Sequence, residues 1–160
     1  MTQRRNSNPS SLSVHAEKVL AYLEQVYRRQ LDAERLQRSI ELMSDQAVSV
    51  PSASAAHDIK IQSLRSEEAP FVSSVSEKDQ MERELRELTE ELEPLKSQAL
   101  QIIRQQTGLL QRIVLTWHFI HGFPWKAVAM RVDRTERQVY RLRNEGLEMI
   151  VLPEDAIWLE

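Results

Sequence analysis

Arg137, Arg141 and Asn144 recur at spacings of four and three. On a helix, at about 100° per residue, such residues share one face. Guanidinium and carboxamide groups in a row can read base edges in a DNA major groove, arginine favouring the guanine acceptors. Glu136 and Tyr140 flank the row and complete the candidate base-reading set. Lys126, Arg131, Arg134 and Arg143 supply cations of the kind that contact phosphates and set register on a duplex. Residues 126–143 carry six basic side chains and two acids, a local charge of +4; residues 144–160 carry five acids and no Lys or Arg. The positive field is therefore concentrated on the turn and the first part of the second helix.

The elements that must hold this row are predicted from the pattern of 123–150, FPWKAVAMRVDRTERQVYRLRNEGLEMI. It reads as two helices around a tight turn. The first is short, with Trp125, Val128, Ala129 and Val132 as apolar positions, and Asp133-Arg134 is the turn. Thr135 is the N-cap of the second helix, and Gln138 completes a capping box. Val139, Leu142, Gly146 and Ile150 form one stripe that faces a core, which turns the arginine row outward. A further helix over 109–121 precedes the pair, with Leu110, Ile113, Val114, Trp117 and Ile120 apolar, and Gly122 ends it as a left-handed cap. Core candidates for this three-helix unit are Leu110, Ile113, Trp117, Ile120, Trp125, Val128, Val139 and Leu142. The unit is assigned to 107–152, and 153–160 is an acidic and apolar tail that covers the bundle or a partner.

Upstream, 1–14 is polar, rich in Ser and Asn, and expected to be a disordered arm in which Arg4 and Arg5 are solvated. Residues 15–47 lack Pro and Gly. Val19, Tyr22, Val26, Ala33, Leu36, Ile40, Met43 and Ala47 mark one long amphipathic helix, with Arg29 interrupting the seam and Leu20, Leu23, Tyr27 and Leu31 widening the apolar face. Residues 48–76, rich in Ser and Ala, hold no period and are predicted as a flexible linker. Ser76 and Asp79 mark a new helix start. From there Met81, Leu85, Leu88, Leu92, Leu95, Ala99 and Ile102 alternate four and three, a heptad helix over 77–106. Pro94 interrupts it and is expected to kink or split it. The acidic exterior of this helix reads as a solvated face. The predicted fold class is all-α: a long helical hairpin or coiled coil followed by a C-terminal three-helix helix-turn-helix unit.

Composition narrows the function. The 160 residues contain no Cys, which removes disulfides and thiolate metal sites and fits a reducing compartment. No apolar run approaches 18 residues, so no membrane span is expected, and the N-terminus lacks the apolar segment of a secretory signal. The net charge of −3 excludes a generic basic coat for nucleic acid. His118 and His121 are three apart on a helix, but no third ligand accompanies them, and no metal or cofactor is expected. There is no phosphate loop, nucleophile elbow or apolar carboxylate pair, so the chain is not read as an enzyme.

The run 122–147 resembles the C-terminal helix-turn-helix of phage and prophage late-transcription regulators of the ArpU type, a branch similar to sigma-factor region 4. That family's pattern is Gly, two variable residues, Trp, two variable residues, Ile-Ala, a turn, then Ser-x-Arg-Gln-Val-Tyr-Arg-Leu. Here the corresponding residues are Gly122, Trp125, Val128-Ala129 and Thr135, then Arg137-Gln138-Val139-Tyr140-Arg141-Leu142, continuing to Glu145 and Leu147. The similarity extends over about 17–150, but only the last 35 or so residues carry specific motifs. Asp133 stands where the family has a turn Gly, Pro124 where Ser or Thr often caps, and Phe123 and Ala127 are less polar than usual. The resemblance implies a late-gene activator in a bacterial host cytoplasm, with RNA polymerase as a further candidate partner.

The sequence thus points to a DNA-binding transcription regulator acting on double-stranded DNA, forming a homo-oligomer through its long helices. A coiled-coil interaction or scaffold protein that docks on polymerase without touching DNA is the rival reading. A small terminase-like DNA-packaging subunit is a third.

Overall fold

The computed structural model describes residues 11–48 and 64–159, with side chains for 11–45 and 75–159. The protein is all-α, with no strand among the described residues. The helices are α1 (Val14–Val48), α2 (Leu64–Gln106), α3 (Leu109–Leu115, continuing as a π-helical turn over Thr116–Ile120), α4 (Trp125–Arg131) and α5 (Glu136–Met149). No helix among the described residues is long and apolar enough to cross a membrane. Of the predicted arm, 1–10 lie outside the described residues, 11–13 are irregular, and Val14 already belongs to α1.

The second long helix corrects the predicted boundaries. It begins at Leu64, so Ser76 and Asp79 lie inside it and do not start it, and 64–76 is not a linker. Residues 49–63 of that predicted linker lie outside the described residues. Extending an existing helix costs only the propensity of each added residue, with no new nucleus to form. A Ser-rich stretch can therefore be carried by the heptad helix next to it. Pro94 does not split α2 either. It is exposed, between buried Leu92 and Leu95, so its missing N–H falls on the solvent side and the apolar seam continues beneath it.

The chain divides into two compact units, Met1–Gln30 with Leu92–Glu160, and Leu31–Glu91. In Leu31–Glu91 only Ile40 is buried among the described side chains. Ala33, Leu36 and Met43 on α1 and Met81, Leu85 and Leu88 on α2 are half-buried. The outer faces carry i,i+3 and i,i+4 pairs such as Asp32–Arg35 (3.2 Å) and Lys78–Glu82 (3.9 Å), each worth only a few tenths of a kcal/mol.

The other unit holds the larger core. Ala16, Val19, Tyr22, Leu23 and Val26 of α1 are buried, as are Leu92, Leu95, Ala99, Ile102 and Ile103 of α2. The Tyr22 hydroxyl donates to Gln98 Oε1 (2.8 Å), and Lys96 Nζ donates to Gln30 Oε1 (3.1 Å). Val114, Val128, Ala129 and Val139 form a second cluster, with Trp117, Phe123, Trp125, Val132 and Leu142 packed around it.

The stripe on α3 differs from the predicted one. Leu110 is 43 % exposed, while Val114, Leu115, His118, Phe119 and Ile120 are buried. The helix is covered on two sides. Gly146 of α5 lies against Leu115 and Gln111, and Tyr27 of α1 stacks on His118, so the buried face is broader and rotated. Leu110 stands in the first turn, off the face that Gly146 covers at Gln111 and Leu115.

After α5 the chain turns back along α1 and α2, and three glutamines hold its main chain. Gln106 accepts from Val151 N–H (2.7 Å) and donates to Val151 C=O (3.0 Å). Gln98 accepts from Ile157 N–H (2.9 Å) and donates to Asp155 C=O (3.1 Å). Gln25 accepts from Leu159 N–H (3.0 Å) and donates to Ile157 C=O (2.7 Å). A carboxamide has both a donor and an acceptor, so each side chain satisfies a tail N–H and a tail C=O that no helix or sheet would pair. Trp158 completes the strap edge-on to Tyr22, with ring centroids 5.7 Å apart.

Candidate nucleic-acid interface

Two local devices set the angle between α4 and α5. Asp133 adopts φ 52°, the left-handed conformation that ends α4. Its N–H points to Met130 C=O (3.4 Å), and the Arg134 N–H donates to Ala129 C=O (3.0 Å), a Schellman pairing that satisfies the last carbonyls of α4. Thr135 then caps α5. Its Oγ1 accepts from Gln138 N–H (3.2 Å), and Gln138 Oε1 accepts from Thr135 N–H (3.0 Å), the reciprocal box expected from the sequence. Gly122, at φ 76°, performs the corresponding turn ahead of α4.

The face of α5 follows from its buried side. Val139, Gly146, Leu147 and Ile150 are buried and Leu142 is half-buried. At about 100° per residue, the direction opposite this stripe is occupied by Arg137, Arg141 and Glu148. All three are exposed. Arg141 Nε lies 3.4 Å from Glu145 Oε1, but the arginine side chain is 82 % exposed, so this is a solvated surface pair of little energy. No ion pair of Arg137 occurs among the described residues.

The other candidate base readers differ in exposure. Glu136 is exposed at the first turn of α5. Tyr140 is 38 % exposed and leans on Trp125, with centroids 5.6 Å apart. Asn144 is half-buried, and its Oδ1 accepts from Arg143 Nε (3.0 Å).

The phosphate candidates divide in the same way. Lys126 and Arg134 are exposed and line a cleft of about 470 Å³ between α4 and the start of α5, with Met130, Asp133, Thr135 and Glu136. Arg131 is exposed, but its guanidinium lies 4.7 Å from the Trp117 ring centroid and 4.4 Å from that of Phe123. Arg143 does not join the outward cations. It is half-buried beside the core stripe, with its guanidinium 5.1 Å from the Tyr140 ring and 5.8 Å from the Trp125 ring. Burial disfavours its charged form and lowers its pKa. Position 143 is seven residues before Ile150 and four after Val139, which puts it on the inner side of the helix.

Behind this surface His118 is sandwiched between Tyr27 (centroids 4.2 Å apart) and Trp125 (3.7 Å). Its Nδ1 lies 2.7 Å from the Phe123 carbonyl, which can only accept, so Nδ1 carries the proton. Burial first, and to a smaller extent the nearby Arg143 charge, hold its pKa down at about 4, against the opposing effect of the Phe123 hydrogen bond. His121 lies against Trp117, with ring centroids 5.5 Å apart. Sequence reasoning missed this stack, because aromatic residues from α1, the π-helical turn and α4 meet only in three dimensions. It also missed the three glutamines.

Comparison of the chain with protein-family models, with curated proteins and with solved structures returned no match.

Proposed function

We propose that this protein is a sequence-specific DNA-binding regulator of transcription. In this reading α4, the Asp133 turn and α5 are a helix-turn-helix, and α5 enters the major groove. The observation that carries it is the outward stand of Arg137 and Arg141, opposite the Val139, Gly146 and Ile150 stripe and clear of the acidic tail that the glutamines strap to α1 and α2. Arg137 and Arg141 read base edges, and Glu136 and Tyr140 border them. Lys126, Arg131 and Arg134 contact phosphates. Arg143 and Asn144 brace α5 against the aromatic stack. The sequence resemblance adds a late-gene role in a phage or prophage, with RNA polymerase as a further partner.

Selection from a random duplex pool tests this reading. Recovery of a common motif, lost with Arg141→Ala, is the expected result. Equal retention of all sequences, or none, contradicts it.

The reading as an interaction module is favoured by one observation, the apolar seam of Leu31–Glu91, where Ala33, Leu36, Met43, Met81, Leu85 and Leu88 are only half-buried. We take this seam as the homo-oligomer contact of the DNA-binding protein. A concentration-dependent mass in analytical ultracentrifugation that vanishes with Leu36→Glu is expected.

A further inference from the structure

A cavity of about 310 Å³ opens where α1, the π-helical turn, α4 and α5 meet, all within the unit formed by Met1–Gln30 and Leu92–Glu160. Two polar groups that line it lack partners. Arg143 is half-buried, and its Nε donates to Asn144 Oδ1 (3.0 Å). No ion pair of Arg143, and no hydrogen bond of its Nη donors, occurs among the described residues. Glu24 lines the same cavity, but its carboxylate lies 3.6 Å from Arg28 at the rim. His118 is 6 % exposed, and its Nδ1 proton is committed to the Phe123 carbonyl (2.7 Å). Its Nε2 is therefore an acceptor, and nothing among the described residues donates to it.

The remaining walls are apolar or aromatic: Leu20, Tyr27, Phe119 and Trp125. Small-molecule pockets have this make-up, mostly apolar with a few converging polar groups, and start at about 300 Å³. Each polar group specifies a partner. A guanidinium presents a planar fork that matches a carboxylate, and a half-buried one gains more from that anion than a solvated one does. An imidazole acceptor calls for an O–H or N–H donor. The apolar walls favour a flat ring between these two groups. The Glu24 charge repels a second negative charge, which selects a monoanion.

We propose that this cavity binds a small aromatic monocarboxylate that carries one ring hydroxyl. The carboxylate pairs with the Arg143 guanidinium, the hydroxyl donates to His118 Nε2, and the ring lies against Leu20 and Phe119. The site goes beyond the DNA-binding reading and stands whether or not α5 enters a groove. It also gives a half-buried arginine without an acidic partner, and an unpaired imidazole nitrogen beside it, a common ligand.

The test is isothermal titration calorimetry of the full chain with the three hydroxybenzoate isomers, with benzoate and with the hydroxybenzamides. One isomer should bind with one-to-one stoichiometry, a few-fold more tightly than benzoate and about tenfold or more above its own amide. Arg143→Gln should weaken that isomer by about tenfold or more. His118→Phe should leave benzoate binding in place and erase the advantage of the hydroxyl. Glu24→Gln should tighten binding of the carboxylate and not of the amide, a gain that a failure to fold cannot produce. No saturable binding by any isomer overturns the site, as does equal binding of acid and amide. Binding that all three substitutions leave unchanged lies elsewhere on the chain and overturns it too. A hydroxyl preference that survives His118→Phe overturns the role of Nε2.

Discussion

His118 and Trp125 stack nearly face to face, with ring centroids 3.7 Å apart and planes at 15°. Tyr27 covers the opposite face of the imidazole at 4.2 Å. The contact joins α1, the π-helical turn and α4 behind the arginine face, and it requires a neutral imidazole. Protonation would place a second N–H, and a charge, between two aromatic rings and near Arg143.

The pH dependence follows from this contact. The His118 pKa is lowered from 6.5 to about 4. Above pH 6.5 the imidazole is neutral both folded and unfolded, and its packing contributes fully. Between 6.5 and 4 the unfolded chain takes up a proton that the folded chain refuses, so stability falls with pH. Below about 4 this contribution falls no further. Thermal midpoints measured from pH 7 to 4 should drop more for the unaltered chain than for His118→Phe. Parallel curves would contradict the buried neutral histidine.

Asp133 holds a left-handed conformation that costs an L-residue about 1 kcal/mol, less for Asp than for most. Asp133→Gly should raise stability by up to about 1 kcal/mol, and Asp133→Val should lower it by about 1–2 kcal/mol, in urea unfolding. Equal midpoints for all three chains would contradict the turn geometry.

Gly146 sits at a close approach of α5 to α3. A Cβ there would lie 2.8 Å from Leu115 Cδ1 and 3.1 Å from Gln111 Cβ, and Leu115 is fully buried. Gly146→Ala gains roughly 1 kcal/mol of helix propensity, but overpacking costs about 1–3 kcal/mol. A lowered unfolding midpoint is expected; a raised one would mean that Leu115 moves freely.

Gln98 serves Tyr22, Asp155 and Ile157 at once. Gln98→Ala should cost about 1–3 kcal/mol, because it leaves the buried Tyr22 hydroxyl and two tail groups unpaired. It should also release the tail to proteolysis after Val151. Mass spectrometry of a limited digest reads this directly, and resistance equal to the unaltered chain would show that the strap does not depend on the carboxamide.

The parts of this fold that were legible in the sequence are those written in local chemistry. The Thr135–Gln138 capping box, the Gly122 turn, the all-helical class and the inward stripe through Val139, Gly146 and Ile150 all follow from spacing and backbone preference. What was not legible depends on partners distant in sequence. Leu110 fits an apolar period, yet it stays 43 % exposed. Arg143 belongs to a basic run, yet its position on the inner side of α5 sends it onto Trp125 and Tyr140. The start of α2 is hidden because Ser-rich composition resembles a linker, although a helix already nucleated extends through it. Gln25, Gln98 and Gln106 carry no signal of their own, since a glutamine on a helix becomes a clamp only when an unpaired strand of chain lies alongside.

The most direct measurement is fluorescence anisotropy of the selected duplex, and of a scrambled one, titrated with the unaltered chain and with Arg137→Ala/Arg141→Ala. Each base-reading arginine is worth about 1–3 kcal/mol of discrimination. The double variant should therefore bind both duplexes alike, with an unchanged thermal midpoint. A double variant that keeps the full preference for the selected duplex would contradict the outward arginine face as the reader of DNA.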